Sequence, residues 1–334
     1  MSVPRSGSRI LLIYNSRDRW VEDDIRILNE RYRVSELFFD RSSFGKLIVF
    51  LFRALQLVVR CDAVVYWFAS HYALVAALVA FVLRKPVAGI VSGYDMANRP
   101  DLGYGHLRGG INRSVVTATT SLSRLLFAVS DFTQNEVKKN LPQQAGKTIL
   151  LHHGFHPQTC FREKKTYVLT ACAVTGESLK LKGLELYLAV AQRFPTVQFV
   201  VAGKIDRQFV QSINIPDNVI LAGSIKDFAD SPLLQEAAVY MQLSEYESFG
   251  CAVAEAMLNE CYPIVTRRGA LPEVVGPCGD LVETDVGAIS ATLQSVLDKK
   301  PFPYKEARIR IEEVFPYSAR RDKLLASMAL LLKM

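Results

Sequence analysis

The chain has 334 residues, of which 50% are hydrophobic and 22% are charged. This composition excludes an intrinsically disordered chain, and the length corresponds to about two domains of ~150 residues. Residues 1–165 carry 23 Lys and Arg against 13 Asp and Glu, a net charge of +10, whereas the remainder carries 17 against 20. The basic first half indicates an anionic partner: a lipid surface, a nucleic acid or a phosphorylated substrate.

The first half alternates apolar, β-branched runs with helical patterns, which predicts a parallel sheet that is buried on both faces. The predicted strands are 9–14, 33–38, 62–67, 86–91, 125–129 and 147–151. The predicted helices are 21–30, 46–59, 71–83, 107–122 and 132–140.

The second half repeats this alternation, so we predict an α/β chain with two doubly wound, Rossmann-like domains. The predicted strands are 166–172, 197–202, 218–222, 238–243, 262–266 and 280–282. The predicted helices are 182–194, 231–237, 249–259, 270–275, 286–299 and 318–332. Ligands of open α/β sheets bind at the carboxyl ends of the strands, so two such domains facing each other predict a central cleft.

A polar stretch with Pro157 and the basic run Arg162–Lys165 separates the halves and has the composition of a linker. The predicted division is an acceptor-side domain, a linker, a donor domain and a last helix that packs back on the first domain. The corresponding ranges are 1–153, 154–165, 166–316 and 317–334.

Two features indicate a chain that stays in the cytoplasm. The longest apolar run, Tyr72–Leu83, is shorter than the ~20 residues of a membrane span, and the N-terminus enters the strand-like run Ile10–Tyr14 without a signal peptide. The six cysteines show no C-x-x-C spacing, which is typical of reduced thiols. We therefore expect a cytoplasmic protein with no transmembrane helix.

The strongest chemical signal is the stretch Ser244–Met257, where an apolar strand ends in a short polar loop and an Ala-rich helix begins. Glu247 lies in the loop and Glu255 eight residues later in the helix. The free N–H groups from about Phe249 to Ala252 can bind hydroxyls or an anion. Two carboxylates beside such donors suit a polyhydroxylated ligand, although a helix cap plus a surface glutamate explains the same residues.

This stretch resembles the E-x7-E motif of the retaining glycosyltransferases of family 4, the glycosyl transferases group 1, which have the GT-B fold. Further segments resemble motifs of that family in the same order, over residues 150–334. They are Lys182–Leu184 after the loop Val174–Lys180, Phe199–Lys204, Asn218–Gly223, and Gly269–Val275 after the strand Pro263–Thr266. The resemblance implies two Rossmann-like domains and a nucleotide-sugar donor.

The same resemblance implies a role for each donor-side residue. Lys182 and Gly183 hold the diphosphate, and Lys180 assists where the family usually has an arginine. Solvated lysines at a helix start are the alternative for both. Glu255 binds the ribose hydroxyls, and Glu247 contacts the sugar hydroxyls or the positive charge that develops at the anomeric carbon. The implied main-chain contacts to the sugar hydroxyls are those of Ser248, Phe249 and Gly250, and Ala270 and Leu271 are implied to lie close to the phosphates or the base.

The first half departs from the family at two places. Ser92–Asp95 stands where a histidine is common, and Asn15–Trp20 stands where many members have a glycine-rich loop. Two roles are open for Asp95: it orients and helps to deprotonate the acceptor hydroxyl, or it is an Asx-type turn residue.

The polar residues of the predicted helix around residues 46–60, Lys46, Arg53, Gln56 and Arg60, form one stripe that is mainly cationic, and the rest of the helix is apolar. Such a helix either packs tightly on the sheet or lies on an anionic membrane surface. The second alternative predicts peripheral contact with the cytoplasmic face of a membrane.

We therefore predict a metal-independent, retaining hexosyltransferase that moves a sugar from a UDP- or GDP-sugar to a glycan or lipid-linked acceptor in α-linkage, as in polysaccharide biosynthesis. No cofactor is expected, and His152, His153 and His156 lack the helical i, i+4 spacing of a metal site. The alternatives are a glycoside hydrolase with Glu247 and Glu255 as its acid and base, and a non-catalytic nucleotide-sugar-binding protein. The scattered arginines argue against a nucleic-acid partner.

Overall fold

The computed structural model describes residues 7–40 and 44–333. The chain divides into two compact units. Unit 1 comprises Met1–Gly154 together with Tyr317–Met334, and unit 2 comprises Phe155–Pro316. Within the described residues, each unit contains one six-stranded sheet of parallel strands.

The sheet of unit 1 has the strand order β2-β1-β3-β4-β5-β6. Its strands are β1 (Arg9–Tyr14), β2 (Arg33–Phe38), β3 (Ala63–Trp67), β4 (Val87–Val91), β5 (Leu125–Ala128) and β6 (Thr148–Leu150). The helices between them are α1 (Arg19–Asn29), α2 (Phe44–Arg60), α3 (His71–Val82), α4 (Gly93–Met96), α5 (Gly110–Leu122) and α6 (Asp131–Asn140). Residues Ile10–Ile13 are fully buried because helices cover both faces of the sheet.

The sheet of unit 2 has the order β12-β11-β10-β7-β8-β9. Its strands are β7 (Lys165–Ala171), β8 (Gln198–Ala202), β9 (Val219–Gly223), β10 (Ala237–Gln242), β11 (Tyr262–Thr266) and β12 (Asp280–Val282). Its helices are α7 (Gly176–Leu181), α8 (Leu184–Gln192), α9 (Arg207–Val210), α10 (Pro232–Glu236), α11 (Cys251–Leu258), α12 (Leu271–Val275), α13 (Val286–Lys299) and α14 (Lys305–Val314).

The last helix, α15 (Tyr317–Leu331), belongs to unit 1 and packs beside α1. The guanidinium group of Arg320 donates two hydrogen bonds, of 2.8 and 2.7 Å, to the carboxylate of Asp24 in α1. It also donates to the carbonyls of Leu151 and His152, and the indole of Trp67 donates to the Asp24 carboxylate. Since Arg320 and Asp24 are both buried, this bidentate pair ties α15 to the core of unit 1.

The segment expected to be a linker, residues 154–165, is held by unit 2 from Phe155 onward. Gln158 donates to the side chain of Asn259, and Arg162 to the side chain of Gln235. Lys164 donates to the main-chain carbonyls of Gln235 and Asn259. The polar composition that predicts a free linker therefore reflects side chains that bind the surface of unit 2.

The predicted α/β fold class is confirmed, and each predicted strand is present within one residue of its predicted bounds. Over residues 7–40 and 44–333, four α-helices are present that were not predicted from the sequence: α4, α7, α9 and α14. One of them, α7, replaces most of the predicted loop Val174–Lys180. Within the described parts of the chain, no helix combines the length and the apolar character needed to cross a bilayer.

Candidate active site in the second unit

The candidate site lies where the strand order of unit 2 reverses. Strands β7 and β10 are neighbours, and the chain leaves β7 toward β8 but leaves β10 toward β11, on the opposite side. The carboxyl ends of two such strands diverge into a crevice, which is the usual ligand site of an open parallel sheet. The loops that follow β7 and β10 contain Lys182 and Glu247.

Lys182 is fixed at the end of β10 by a close approach of two backbones. It lies between α7 and α8, and Gly183 caps the start of α8 with φ +67°. A Cβ at position 183 would lie 2.0 Å from the carbonyl oxygen of Leu243, and the N–H of Glu245 donates to Leu181 O at 3.0 Å. Position 183 therefore requires glycine, and Lys182 is aimed at the loop that follows β10.

The side chains of Lys182 and Glu247 meet in this crevice. Lys182 Nζ donates a hydrogen bond of 2.7 Å to Glu247 Oε2, and the two side chains are 33% and 17% exposed. The pair is thus partly shielded but still open to a ligand. An ammonium group has three N–H donors, so Lys182 can bind an anion while it keeps its bond to Glu247.

A chain of buried polar groups supports Glu247 from below. Ser244 Oγ donates to Glu247 Oε2 at 3.3 Å, and Gln242 Nε2 donates to Ser244 Oγ at 2.6 Å. Tyr240 donates its hydroxyl to Gln242 Oε1 at 3.1 Å and accepts the N–H of Ala171 at 3.2 Å. Each link orients the next, so the position of the Glu247 carboxylate is tied to the main chain of β7.

This hydrogen-bond relay of Tyr240, Gln242 and Ser244 was not predicted, although the sequence contains a signal for it. Tyr240, Gln242 and Ser244 alternate with apolar residues, and residues two apart line one face of a strand. Three polar side chains on one buried face need partners, which here they provide for one another.

The loop after β11 braces the backbone of Glu247. The N–H of Ala270 donates to Glu247 O at 2.8 Å, and a Cβ at Gly269 (φ +59°) would lie 2.3 Å from that oxygen. Thr266 Oγ1 donates to Ser244 O at 2.6 Å. Ala270 and Leu271 are fully buried, and their N–H groups donate within the protein, to Glu247 O and Arg268 O.

Helix α11 begins two residues later than predicted. Gly250 takes φ +101° and caps the helix, so the N–H groups of the first turn are those of Cys251, Ala252 and Val253. Phe249 is 1% exposed and packs against Phe155 and Phe315, with ring centroids 6.0 and 5.3 Å away.

The charges of the two predicted carboxylates, Glu247 and Glu255, both affect the pKa of the buried Tyr240. Burial raises the pKa of Tyr240 well above its ordinary value, and the charges of Glu247 and Glu255 raise it further. Glu255 is half-buried in α11. The structure therefore brings both glutamates of the E-x7-E motif, together with Lys182, to the region around Tyr240, whereas Lys180 lies exposed on α7.

Asp95 lies in unit 1 and is 1% exposed. Its Oδ2 accepts the N–H of Ala69 at 2.9 Å and its Oδ1 accepts the N–H of Ser92 at 3.0 Å, so the side chain caps α4. Burial raises the pKa of Asp95 to about 6, although its backbone hydrogen bonds lower it. This geometry favours the turn-capping alternative over the predicted deprotonation of an acceptor.

Residues 157–313 match the family model described as glycosyl transferases group 1. This segment, 157 of the 334 residues, is similar to the group 1 glycosyltransferases. It contains each residue of the candidate site described above for unit 2.

Two curated relatives match part of the chain. The MMP alpha-(1->4)-mannosyltransferase of Mycolicibacterium hassiacum is 29% identical over 138 residues, which are 38% of this chain and 34% of that protein. The phosphatidylinositol N-acetylglucosaminyltransferase gpi3 subunit of Schizosaccharomyces pombe is 32% identical over 103 residues, 28% of this chain and 23% of that protein. The chain therefore matches about a third or less of the length of these relatives.

Solved structures resemble the chain over nearly its full length. HepE from Anabaena, in complex with UDP and glucose, superposes with a TM-score of 0.75 at 16% identity and covers 96% of this chain and 99% of its own. Sucrose-phosphate synthase from Thermosynechococcus elongatus gives a TM-score of 0.75 at 16% identity, with 98% and 99% coverage. At this identity the likeness establishes the fold, which is the GT-B fold.

Proposed function

We propose that the protein is a retaining hexosyltransferase of family 4 that uses a UDP- or GDP-sugar and forms an α-linkage without a metal ion. The observation that carries the proposal is the Lys182–Glu247 pair at the strand-order reversal of a segment similar to the group 1 glycosyltransferases. A cation and a carboxylate at this position match the two charges of the reaction. The diphosphate becomes more negative as the sugar leaves, and the anomeric carbon becomes positive.

In the proposed reaction, Lys182 and helix termini supply the positive charge that stabilises the diphosphate of the donor. The Lys182 ammonium binds the diphosphate, and the start of α11, with its positive helix end, directly follows the loop that contains Glu247. Preorganised donors of this kind stabilise a leaving phosphate in place of a metal ion. Glu255 accepts hydrogen bonds from the ribose hydroxyls, and its charge, like that of Glu247, raises the pKa of Tyr240.

The sugar side of the proposal follows from Glu247. Its carboxylate is held by Lys182 and Ser244, while its main chain is held by Ala270. It contacts the sugar hydroxyls and stabilises the oxocarbenium-like state. In a front-face displacement, the bond between the anomeric carbon and the leaving phosphate oxygen breaks on the face where the acceptor oxygen attacks. The leaving phosphate then takes the proton of the acceptor hydroxyl.

The names of similar proteins support a nucleotide-sugar donor. The curated relatives are named a mannosyltransferase and an N-acetylglucosaminyltransferase subunit, and HepE was crystallised with UDP and glucose. We extend the proposal to a glycan or lipid-linked acceptor in polysaccharide biosynthesis, at the cytoplasmic face of a membrane, with peripheral contact through residues 46–60.

The test is calorimetric titration of the native protein with UDP, GDP and ADP in EDTA, beside Glu255→Ala and Glu313→Ala. Glu313 is exposed on α14 and serves as the matched control. We expect one nucleotide to bind without metal, Glu255→Ala to weaken that binding by about 1–3 kcal/mol, and Glu313→Ala to bind as the native protein does. Failure of all three nucleotides to bind would contradict the proposal. Binding of a nucleotide sugar without turnover in the presence of glycan acceptors would favour the non-catalytic alternative.

A further inference from the structure

The side of α2 that faces away from the sheet is apolar. Among the α2 residues whose side chains the structure describes, the buried ones form a narrow stripe with a spacing of four: Phe50, Ala54 and Val58. The exposed apolar residues of the same helix are Ile48, Val49, Leu51, Phe52, Leu55 and Val59. Phe52 alone is 62% exposed. Tight packing on the sheet therefore explains one stripe of α2 and leaves most of its apolar surface uncovered.

The carboxyl end of α3 extends this surface. Phe81 is 64% exposed and Val82 is 77% exposed, and Leu78 and Leu83 are exposed as well. Lys85, which follows α3, donates to two of the last carbonyls of α2, with 2.8 Å to Val58 O and 2.6 Å to Val59 O, and to Cys61 O directly after the helix. This contact joins the carboxyl ends of the two helices.

The two helices also turn their outer sides in the same direction. The buried residues of α2 and those of α3 pack in one core cluster, so both helices lie on the same face of the sheet. We call the exposed apolar residues of α2 and α3 the α2–α3 surface. Exposed residues of this kind occur singly on most soluble proteins, whereas a continuous set marks a place of contact.

The charge around the α2–α3 surface is positive. Residues 41–94 contain six Lys and Arg but a single acidic residue, Asp62. Arg53, Arg60 and Arg84 are exposed on the two helices or directly after them. Apolar side chains among cations match a bilayer that contains anionic lipids, because the rings enter the acyl boundary while the guanidinium groups meet the phosphates. A second copy of this chain fits less well, since two such surfaces would bring like charges together.

We propose that the α2–α3 surface docks on a bilayer of anionic phospholipids. The proposal deepens the peripheral contact proposed for residues 46–60 by adding the end of α3 and by naming the lipid charge. Phe52 and Phe81 are the apolar anchors, one from each helix. Arg53 and Arg60 provide the part of the binding that salt screens.

The experiment is flotation of the full chain with vesicles of phosphatidylcholine alone or of phosphatidylcholine with phosphatidylglycerol. The test variant is Phe52→Asp/Phe81→Asp, and the matched control is Ile309→Asp, at an apolar residue of α14 in unit 2 that is 43% exposed. A second variant, Arg53→Gln/Arg60→Gln, leaves the apolar anchors in place. Circular dichroism and thermal unfolding confirm that each variant is folded.

We expect the native protein and Ile309→Asp to float with the anionic vesicles and not with phosphatidylcholine alone. We expect the double Asp variant to lose at least about tenfold in partitioning, and the double Gln variant to lose most of its salt dependence. Equal flotation with both vesicle types, or none with either, would overturn the proposal. A dimer of the native chain that Phe52→Asp/Phe81→Asp abolishes, without flotation, would assign the surface to a second copy. Since neither nucleotide nor turnover enters the measurement, its failure leaves the transferase proposal standing.

Discussion

Lys182 and Glu247 are 65 positions apart in the sequence, and their side chains meet at 2.7 Å beyond the carboxyl ends of β7 and β10. Two glycines make this approach possible. Gly183 lets the loop of Lys182 touch Leu243, and Gly269 lets its own loop touch the main chain of Glu247. Backbone contacts on both sides therefore fix the positions of Lys182 and Glu247, so the two charged groups lie side by side in one site.

Lys182→Met should reduce turnover of a nucleotide sugar by at least about a hundredfold, because the leaving phosphate loses its preorganised cation. The pair is partly exposed, so the free energy of unfolding should fall by less than about 1 kcal/mol. Turnover and urea unfolding measure the two effects. Lys299→Met, at an exposed lysine at the end of α13, is the matched control and should alter neither. Normal turnover of Lys182→Met would rule out its phosphate role.

Ser244→Ala tests whether the buried relay positions Glu247. The change removes the acceptor of Gln242 and one donor to Glu247, so we expect about a tenfold fall in kcat and a loss of about 1–3 kcal/mol in stability. Ser290→Ala is the matched control, because Ser290 is also buried and bonds only within α13, to Val286 O at 2.6 Å. It should lower stability without changing kcat. Equal kcat values for the two variants would reduce the relay to a structural role.

Strands such as β1, β3 and β4 were predictable because they are buried on both faces and therefore appear as continuous apolar runs, whereas β2 at the sheet edge has exposed Arg33 and Glu36. The relay of Tyr240, Gln242 and Ser244 could not be predicted in this way, because Tyr240 and Gln242 lie within a buried strand of this kind. Helices α4, α7 and α9 have only four to six residues, which is too short for a helical period to show. In α14 only Ala307 and Ile311 are buried, so its pattern is weak.

The site was predictable only in part. The E-x7-E spacing and Lys182 are visible in one sequence because they form a motif. The contact of Gly269 with Glu247 is not visible, because it depends on how the loops after β10 and β11 meet. The start of α11 was placed too early because the left-handed backbone at Gly250 belongs to the folded loop and leaves no periodic signal.

Gly269→Ala should weaken nucleotide binding, because its Cβ would lie 2.3 Å from Glu247 O and force the loop away. The matched control is Gly103→Ala, where φ is +63° and no atom lies within 4 Å of the new Cβ. Both variants carry the cost of a left-handed alanine, about 1 kcal/mol, but only Gly269→Ala collides with the site. Calorimetric titration with the nucleotide that the native protein binds measures the affinity of each variant and so distinguishes the collision from the backbone cost. Equal binding by both variants would show that the loop yields without moving Glu247.

Asp24→Ala should destabilise unit 1 by about 3–5 kcal/mol, because it leaves the buried guanidinium of Arg320 without its carboxylate. The matched control is Glu30→Ala, which breaks the exposed pair with Arg321 and should cost less than about 1 kcal/mol. Both tryptophans, Trp20 and Trp67, lie in unit 1, so fluorescence during urea unfolding reports on this unit. Similar losses in the two variants would show that α15 is held mainly by apolar packing.

The stability of the protein should also respond to pH through Asp95. Burial raises the pKa of this carboxyl from 3.8 to about 6 in the folded chain. Between about pH 4 and pH 6 the folded chain keeps a proton that the unfolded chain has released. The stability that Asp95 contributes is therefore complete below pH 4, falls as pH rises to 6 and is absent above it. Its full span is on the order of 3 kcal/mol.

The measurement is the difference in free energy of unfolding between the native protein and Asp95→Asn, followed by urea from pH 4 to pH 7. The carboxamide does not titrate, so this difference isolates the ionisation of Asp95. We expect the native protein to lose stability relative to Asp95→Asn as pH rises to 6. Asp101→Asn is the matched control: the hydrogen bond from Arg99 lowers the pKa of Asp101 below its ordinary value of 3.8, so its contribution changes mainly below about pH 4 and should stay nearly constant over the measured range. A difference that stays constant across the range would mean that backbone donors, rather than burial, set the ionisation of Asp95.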